Sequence, residues 1–155
     1  METLGSLIDK FSISALRLNN TKLRLNDSKK DEEKKELYKL IDNVLIQKQN
    51  LQEEIDSYLY SAIKGDVKLE EPKYKIYKGE KPSDEKFNKI GEAINNLFKA
   101  NAILWSLEDI RRDKTKTDAE IRVVCDDVAK YNRIRNDTMD EINKIISELI
   151  NYKKT

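Results

Sequence analysis

The residues in this chain with the most chemical potential are polar side chains standing where a helix calls for apolar ones. Asn101 and Glu108 fall on the inward stripe of a helical run that reads Phe87, Ile90, Ile94, Leu97/Phe98, Asn101, Leu104/Trp105 and Glu108. Arg135 falls on the seam of a second run, Ile121, Val124/Cys125, Val128, Tyr131, Arg135, Met139, Ile142, Ile145/Ile146 and Leu149, with Asn132 and Asn136 beside it. Buried charges are costly unless paired, so these positions imply partners, a cavity or a site. Gathered in one place, Glu108 and Asp109 would supply acid/base or metal-binding groups, and Arg112 and Arg135 would clamp an anion. The competing reading is a set of interhelical hydrogen-bond layers that fix register.

The short link from Asp113 to Lys116 forces the two runs antiparallel as neighbours, so positions whose numbers sum to about 230 stand level. Asn101 is then opposite the turn from Val128 to Asn132, Arg135 opposite Asn95 and Asn96, and Glu108 or Asp109 opposite Arg122. Two polar layers result, unless a first helix bridges them with Asp9, Lys10 or Arg17. Other constellations are weaker. Glu32-Glu33-x-x-Glu36 followed by Glu53-x-x-Asp56 matches the Mg²⁺-binding pattern of the all-α nucleotide pyrophosphohydrolases. Here both halves lie on one uninterrupted helix, so they stand ~30 Å apart and cannot share a metal within one chain. Asp137, Asp140 and Glu141 are spread around their helix, so no metal site is expected. Trp105 and Cys125 read as core packing, the thiol as a small buried hydrophobe. Tyr74 and Tyr77 alternate with Lys73, Lys75 and Lys78, a pattern that can bind nucleic acid, but Glu70, Glu71 and Glu80 offset the charge.

Composition narrows the chemistry further. The 155 residues contain no His, which removes His-dependent nucleophile systems, His-ligated zinc and the usual neutral-pH proton shuttle. One Cys excludes an intramolecular disulfide, and the start METLGSLIDKF lacks the basic and apolar regions of a secretory signal; a cytoplasmic location is the expectation. No apolar run approaches the ~20 residues of a membrane span. With 30 Lys+Arg against 29 Asp+Glu, the net charge of +1 argues against a nucleic-acid or membrane partner held by a general field.

Four helices must position these residues, at about 4–19, 29–64, 84–112 and 118–152, in a single domain. Thr3 caps the first, whose apolar face is Leu4, Leu7, Ile8, Phe11, Ala15 and Leu18; Asn19-Asn20 stops it, and Thr21 to Asp27 connects onward. Ser28 caps the second, which carries a seven-residue repeat at Leu37, Val44, Leu51 and Tyr58, interrupted on its neighbouring stripe by Lys48. Residues 65–83 break the helical period and suggest a small β-hairpin or extended loop. Ser83 caps the third helix. Thr117-Asp118-Ala119-Glu120 is a capping box that opens the fourth. The fold class expected is therefore all-α, an elongated up-down bundle of one short and three long helices.

Two stretches, Leu4-Gly5-x-Leu7-Ile8-Asp9-Lys10-x-x-Ile13 and Leu104-Trp105-x-x-Glu108-Asp109-x-x-Arg112 followed by Asn132-x-x-Arg135-Asn136-Asp137, resemble a group of uncharacterised bacterial and viral all-helical proteins. Those families are domains of unknown function, some encoded near glycosyltransferase or surface-polysaccharide genes. The resemblance covers about half the chain. It implies that Asp9, Lys10, Glu108, Asp109, Arg112, Asn132, Arg135, Asn136 and Asp137 are the polar pattern positions, and it supplies no activity and no cofactor. The long second helix and the Pro72 to Pro82 loop depart from the pattern, and Val124-Cys125-Asp126 stands where basic residues would be expected.

The sequence leads first to a non-catalytic intracellular interaction or assembly module, self-associating or joined to a protein partner, because the long helical seams exceed what a short first helix can cover. Its second reading is a small enzyme or ligand-binding accessory in sugar or nucleotide-sugar metabolism, taking a small anionic or sugar ligand in a pocket between the first, third and fourth helices.

Overall fold

The computed structural model describes residues 2–67 and 90–152 and is all-α among them, with four helices and no strand: α1 (Leu4–Asp27), α2 (Asp31–Lys64), α3 (Ile90–Arg111) and α4 (Asp118–Tyr152). The hairpin or loop expected at 65–83, the Ser83 cap and the Phe87 core position fall on 68–89, outside the described residues. None of the described helices is long and apolar enough to cross a membrane.

Helix α1 is the organising element, because it packs on α2 along one side and on both α3 and α4 along another. Its first turn is fixed by Thr3, whose hydroxyl accepts from the Ser6 amide at 3.2 Å. The Gly5 amide, which an isolated helix would leave unpaired, donates to Asn143 Oδ1 on α4 at 2.8 Å. At Gly5 the two helices come so close that any Cβ would collide with the Met139 carbonyl. Leu4, Leu7 and Ile8 then join Tyr58 and Ala62 of α2, Ala93 and Leu97 of α3, and Ile142 and Ile145 of α4 in the main core.

Two boundaries differ from those expected. Helix α1 does not stop at Asn19-Asn20 but continues to Asp27. The Asn20 amide donates back to the Leu16 carbonyl at 3.0 Å and the Thr21 hydroxyl to that of Arg17 at 2.8 Å, so both polar side chains are satisfied on the helix itself. Leu18 and Leu25 meanwhile bury against Leu40, Ile41 and Val44 of α2, a second small core that outweighs the stop signal. Ser28 consequently ends α1, its amide on the Arg24 carbonyl, while Lys30 precedes α2 with no side-chain cap bond. The Ser28 hydroxyl donates to Glu33 Oε2 at 2.9 Å. Gly65 terminates α2 in the left-handed region at φ 87°, where a side chain would be strained.

The Lys48 interruption has a physical answer: its ammonium lies 5.1 Å from the centre of the Phe11 ring, a cation–π contact that lets a charged residue cover the seam. Cys125 and Leu149, expected on the buried seam of α4, are exposed. The covered stripe is narrower and runs through Val124, Thr138, Ile142 and Ile145, because among the described residues α4 packs chiefly on α3 and α1.

The capping box of α4 forms as written in the sequence. Glu120 Oε2 accepts from the Thr117 amide and hydroxyl, both at 2.9 Å, and the Glu120 amide donates to Thr117 Oγ1 at 3.3 Å. The Thr117 amide and then its hydroxyl hold the Glu120 carboxyl below its ordinary value. A depressed carboxyl stabilises the fold above its unfolded value and loses that contribution as pH falls through the folded one. We expect a ¹³C-detected Glu120 titration midpoint below the ordinary glutamate value, moving back toward it in Thr117→Ala. Gly5→Ala is expected to lower the unfolding free energy by about 1–3 kcal/mol, from overpacking at a backbone contact, as read by urea denaturation.

Candidate functional site

Asp9 lies one to two turns into α1 on the face turned toward α3 and α4, and it is 4% exposed. A carboxylate at that depth needs full pairing, and it has it. Arg135 of α4 forks onto it, Nε to Oδ1 at 2.7 Å and Nη2 to Oδ2, the bidentate geometry that suits a guanidinium to a carboxylate. Asn101 of α3 adds a third contact, its Nδ2 donating to Asp9 Oδ1 at 2.8 Å and to Ser12 Oγ at 2.6 Å. Ser12, fully buried, donates onward to the Asp9 carbonyl at 2.8 Å. Among the described residues no buried side-chain nitrogen or oxygen lacks a hydrogen-bond partner. The hydrogen bonds to Asp9 outweigh burial and raise the already high pKa of Arg135 further.

The two polar layers estimated from spacing are therefore one cluster, bridged by Asp9. The levels were close for Asn101 and Asn132, which line the same space, but Arg135 turns to α1 and not to Asn95 or Asn96. Glu108 does not reach Arg122; it pairs with Arg111 on its own helix at 2.8 Å, three residues on.

Directly against this cluster a cleft of about 260 Å³ opens between α1, α3 and α4. Asn101 and Arg135 belong to its lining, with Ile13 from α1, Leu104, Trp105, Glu108, Asp109 and Arg112 from α3, and Asn132 from α4. The α3 contributors follow helical spacing: Asn101, Trp105, Glu108 and Arg112 recur at intervals of three or four, which puts them on one stripe. Asn132 and Arg135 stand one turn apart on α4 for the same reason. Trp105, expected in the core, is half-buried and forms part of the wall.

Of the nine residues singled out, the structure gathers six at the cleft: Asp9 beneath it and Glu108, Asp109, Arg112, Asn132 and Arg135 around it. Lys10 is exposed on the other side of α1, paired with Glu2 and lining a groove against α2. Asn136 is exposed, and Asp137 is half-buried and already engaged by a neighbour, so neither lines the cleft. Two participants were missed, Ser12 and Ile13. Ser12 had a signal, a small polar residue one turn after Asp9 on an otherwise apolar face. Among the described residues no three or more Asp, Glu or Cys side chains gather as a metal site. The acidic residues of α2 from Glu32 to Asp56 are exposed along a single unbroken helix. No family model, curated protein or solved structure matches this chain.

Removing Asp9 strands a guanidinium and an amide at the cleft floor. Asp9→Ala is expected to destabilise the fold by about 2–4 kcal/mol, less than a fully buried pair because the Arg135 side chain is 29% exposed and can turn to water. Arg135→Ala and Asp9→Ala combined should cost clearly less than the sum of the two, as measured by denaturant unfolding of all three variants.

Proposed function

We propose that this chain is a binding protein for a small polar molecule, held in the cleft between α1, α3 and α4, and acts as a ligand-binding accessory or small enzyme. The observation that carries this reading is the cleft itself, opening against Asn101 and Arg135 and walled by an indole, two carboxylates and a further guanidinium. A purely structural hydrogen-bond layer has no need of an open space beside it. Here the inner groups are oriented by a buried network while the outer ones keep free valences. The side chains of Asp109, Arg112 and Asn132 make no hydrogen bond or ion pair among the described residues, which leaves them available. The likeness to helical proteins encoded near surface-polysaccharide genes supports sugar or nucleotide-sugar metabolism as the setting, in the cytoplasm.

A second reading, assembly with a protein partner or a second copy, is favoured by a different observation. Helix α2 packs mainly on α1, and Leu45, Ile46, Tyr60 and Ile63 along it are exposed, Ile63 by 66%. Sedimentation velocity separates this from the first reading, since a strict monomer at high concentration removes self-association and leaves the cleft untouched.

The cleft reading is tested by ¹H–¹⁵N titration of the full chain with a library of small polar metabolites. Shifts are expected at the Trp105 indole and the Asn101 and Asn132 amides, and Arg112→Ala should weaken the response about three- to tenfold without changing the melting temperature. A library that moves no cleft resonance, or only those of α2, contradicts it.

A further inference from the structure

The bonding at the cleft floor restricts what can bind there, and we infer that the ligand is an uncharged ring carrying O–H or N–H donors rather than an anion. The inference rests on the cleft being a binding site and concerns only what enters it. Asn101 fixes the argument. Asp9 Oδ1 can only accept, so the amide must turn its NH₂ toward it, and that NH₂ also serves Ser12. The other end, Asn101 Oδ1, then faces away from the network. Among the described residues nothing donates to it, and no fully buried side-chain oxygen there lacks a partner, so this oxygen keeps some exposure on a residue that lines the cleft. A group seated against it has to donate a hydrogen bond, which a phosphate-monoester dianion, sulfate or carboxylate cannot do.

The charges point the same way. Arg135, the cation nearest the floor, is neutralised by the bidentate Asp9. Its Nη1 remains as a directional donor, not as a net charge facing the cleft. Glu108 is compensated by Arg111, and Asp109 balances the charge of Arg112 at the rim, so an anion entering finds no positive excess. Asn132, whose side chain makes no bond among the described residues, offers a donor and an acceptor together. Trp105 supplies an aromatic wall for a flat face, and about 260 Å³ admits a single ring with its substituents, not an extended chain. A pyranose and a nucleobase or nucleoside share this chemistry.

The chain contains one Trp, so its intrinsic emission reports on the cleft wall alone. The full chain is titrated at matched millimolar concentrations with three sets of probes: D-glucose, D-mannose and N-acetylglucosamine; adenosine and uridine; sulfate and acetate. At least one neutral ring is expected to saturate the Trp105 signal, and which of the first two sets does so identifies its source. Its affinity should hold within twofold as salt is raised through the range where ionic contacts are screened, and Asn132→Ala should weaken it about three- to tenfold. Sulfate or acetate binding more tightly than every neutral ring, with strong salt dependence, overturns this inference and leaves the cleft as a binding site. Silence from all three sets overturns both.

Discussion

The structure depends on one buried carboxylate. Asp9 sits where the apolar face of α1 meets two other helices, and its burial is tolerable only because Arg135 and Asn101 converge on it from α4 and α3. That requirement ties three helices at one level. It also fixes rotation: a helix turned by one residue would carry Arg135 or Asn101 out of reach. Apolar contacts such as Leu97 on Ile142 stabilise the bundle but tolerate sliding, whereas a fork of defined geometry does not. The same fork holds Asn101 and Arg135 in the lining of an open cleft, so the group that sets register also orients two residues of the candidate site.

Much of the fold was legible because its signals are local. The capping box at Thr117 and Glu120, the Thr3 cap and the seven-residue repeat of α2 through Leu37, Val44 and Tyr58 each depend on local spacing, and they formed as read. The end of α1 was not legible, since Asn19-Asn20 is a fair stop signal in isolation. What continues the helix is burial of Leu18 and Leu25 against α2, a contact that cannot be read before the two helices are placed. Cys125 and Leu149 failed for a related reason: periodicity gives the direction of a stripe but not its width, which depends on how many neighbours flank the helix.

The site was legible in its members but not in its wiring. Asn101, Glu108 and Arg135 drew notice because a polar residue on an inward stripe demands explanation, Asn132 because it stands beside Arg135, and all four line the cleft. Pairing by level along an antiparallel hairpin placed Asn101 near Asn132 correctly, yet it misassigned Arg135 and Glu108. A two-helix construction has no place for a third helix, and long side chains reach a turn or more in either direction. Motif neighbourhood alone was also too generous, since Lys10 and Asn136 adjoin Asp9 and Arg135 in sequence but point to other faces of their helices.

The central claim is that the Arg135 guanidinium is locked on Asp9 beneath a cleft that a ligand can enter. The most direct measurement is the ¹⁵N–¹H resonance of Arg135 Nε in the full chain. A bidentate lock predicts a resolved, slowly exchanging Nε–H that is lost in Asp9→Ala and shifts together with the Asn101 amide when a cleft ligand is added. An Nε–H that exchanges as fast as free arginine, indifferent to Asp9, would contradict the account.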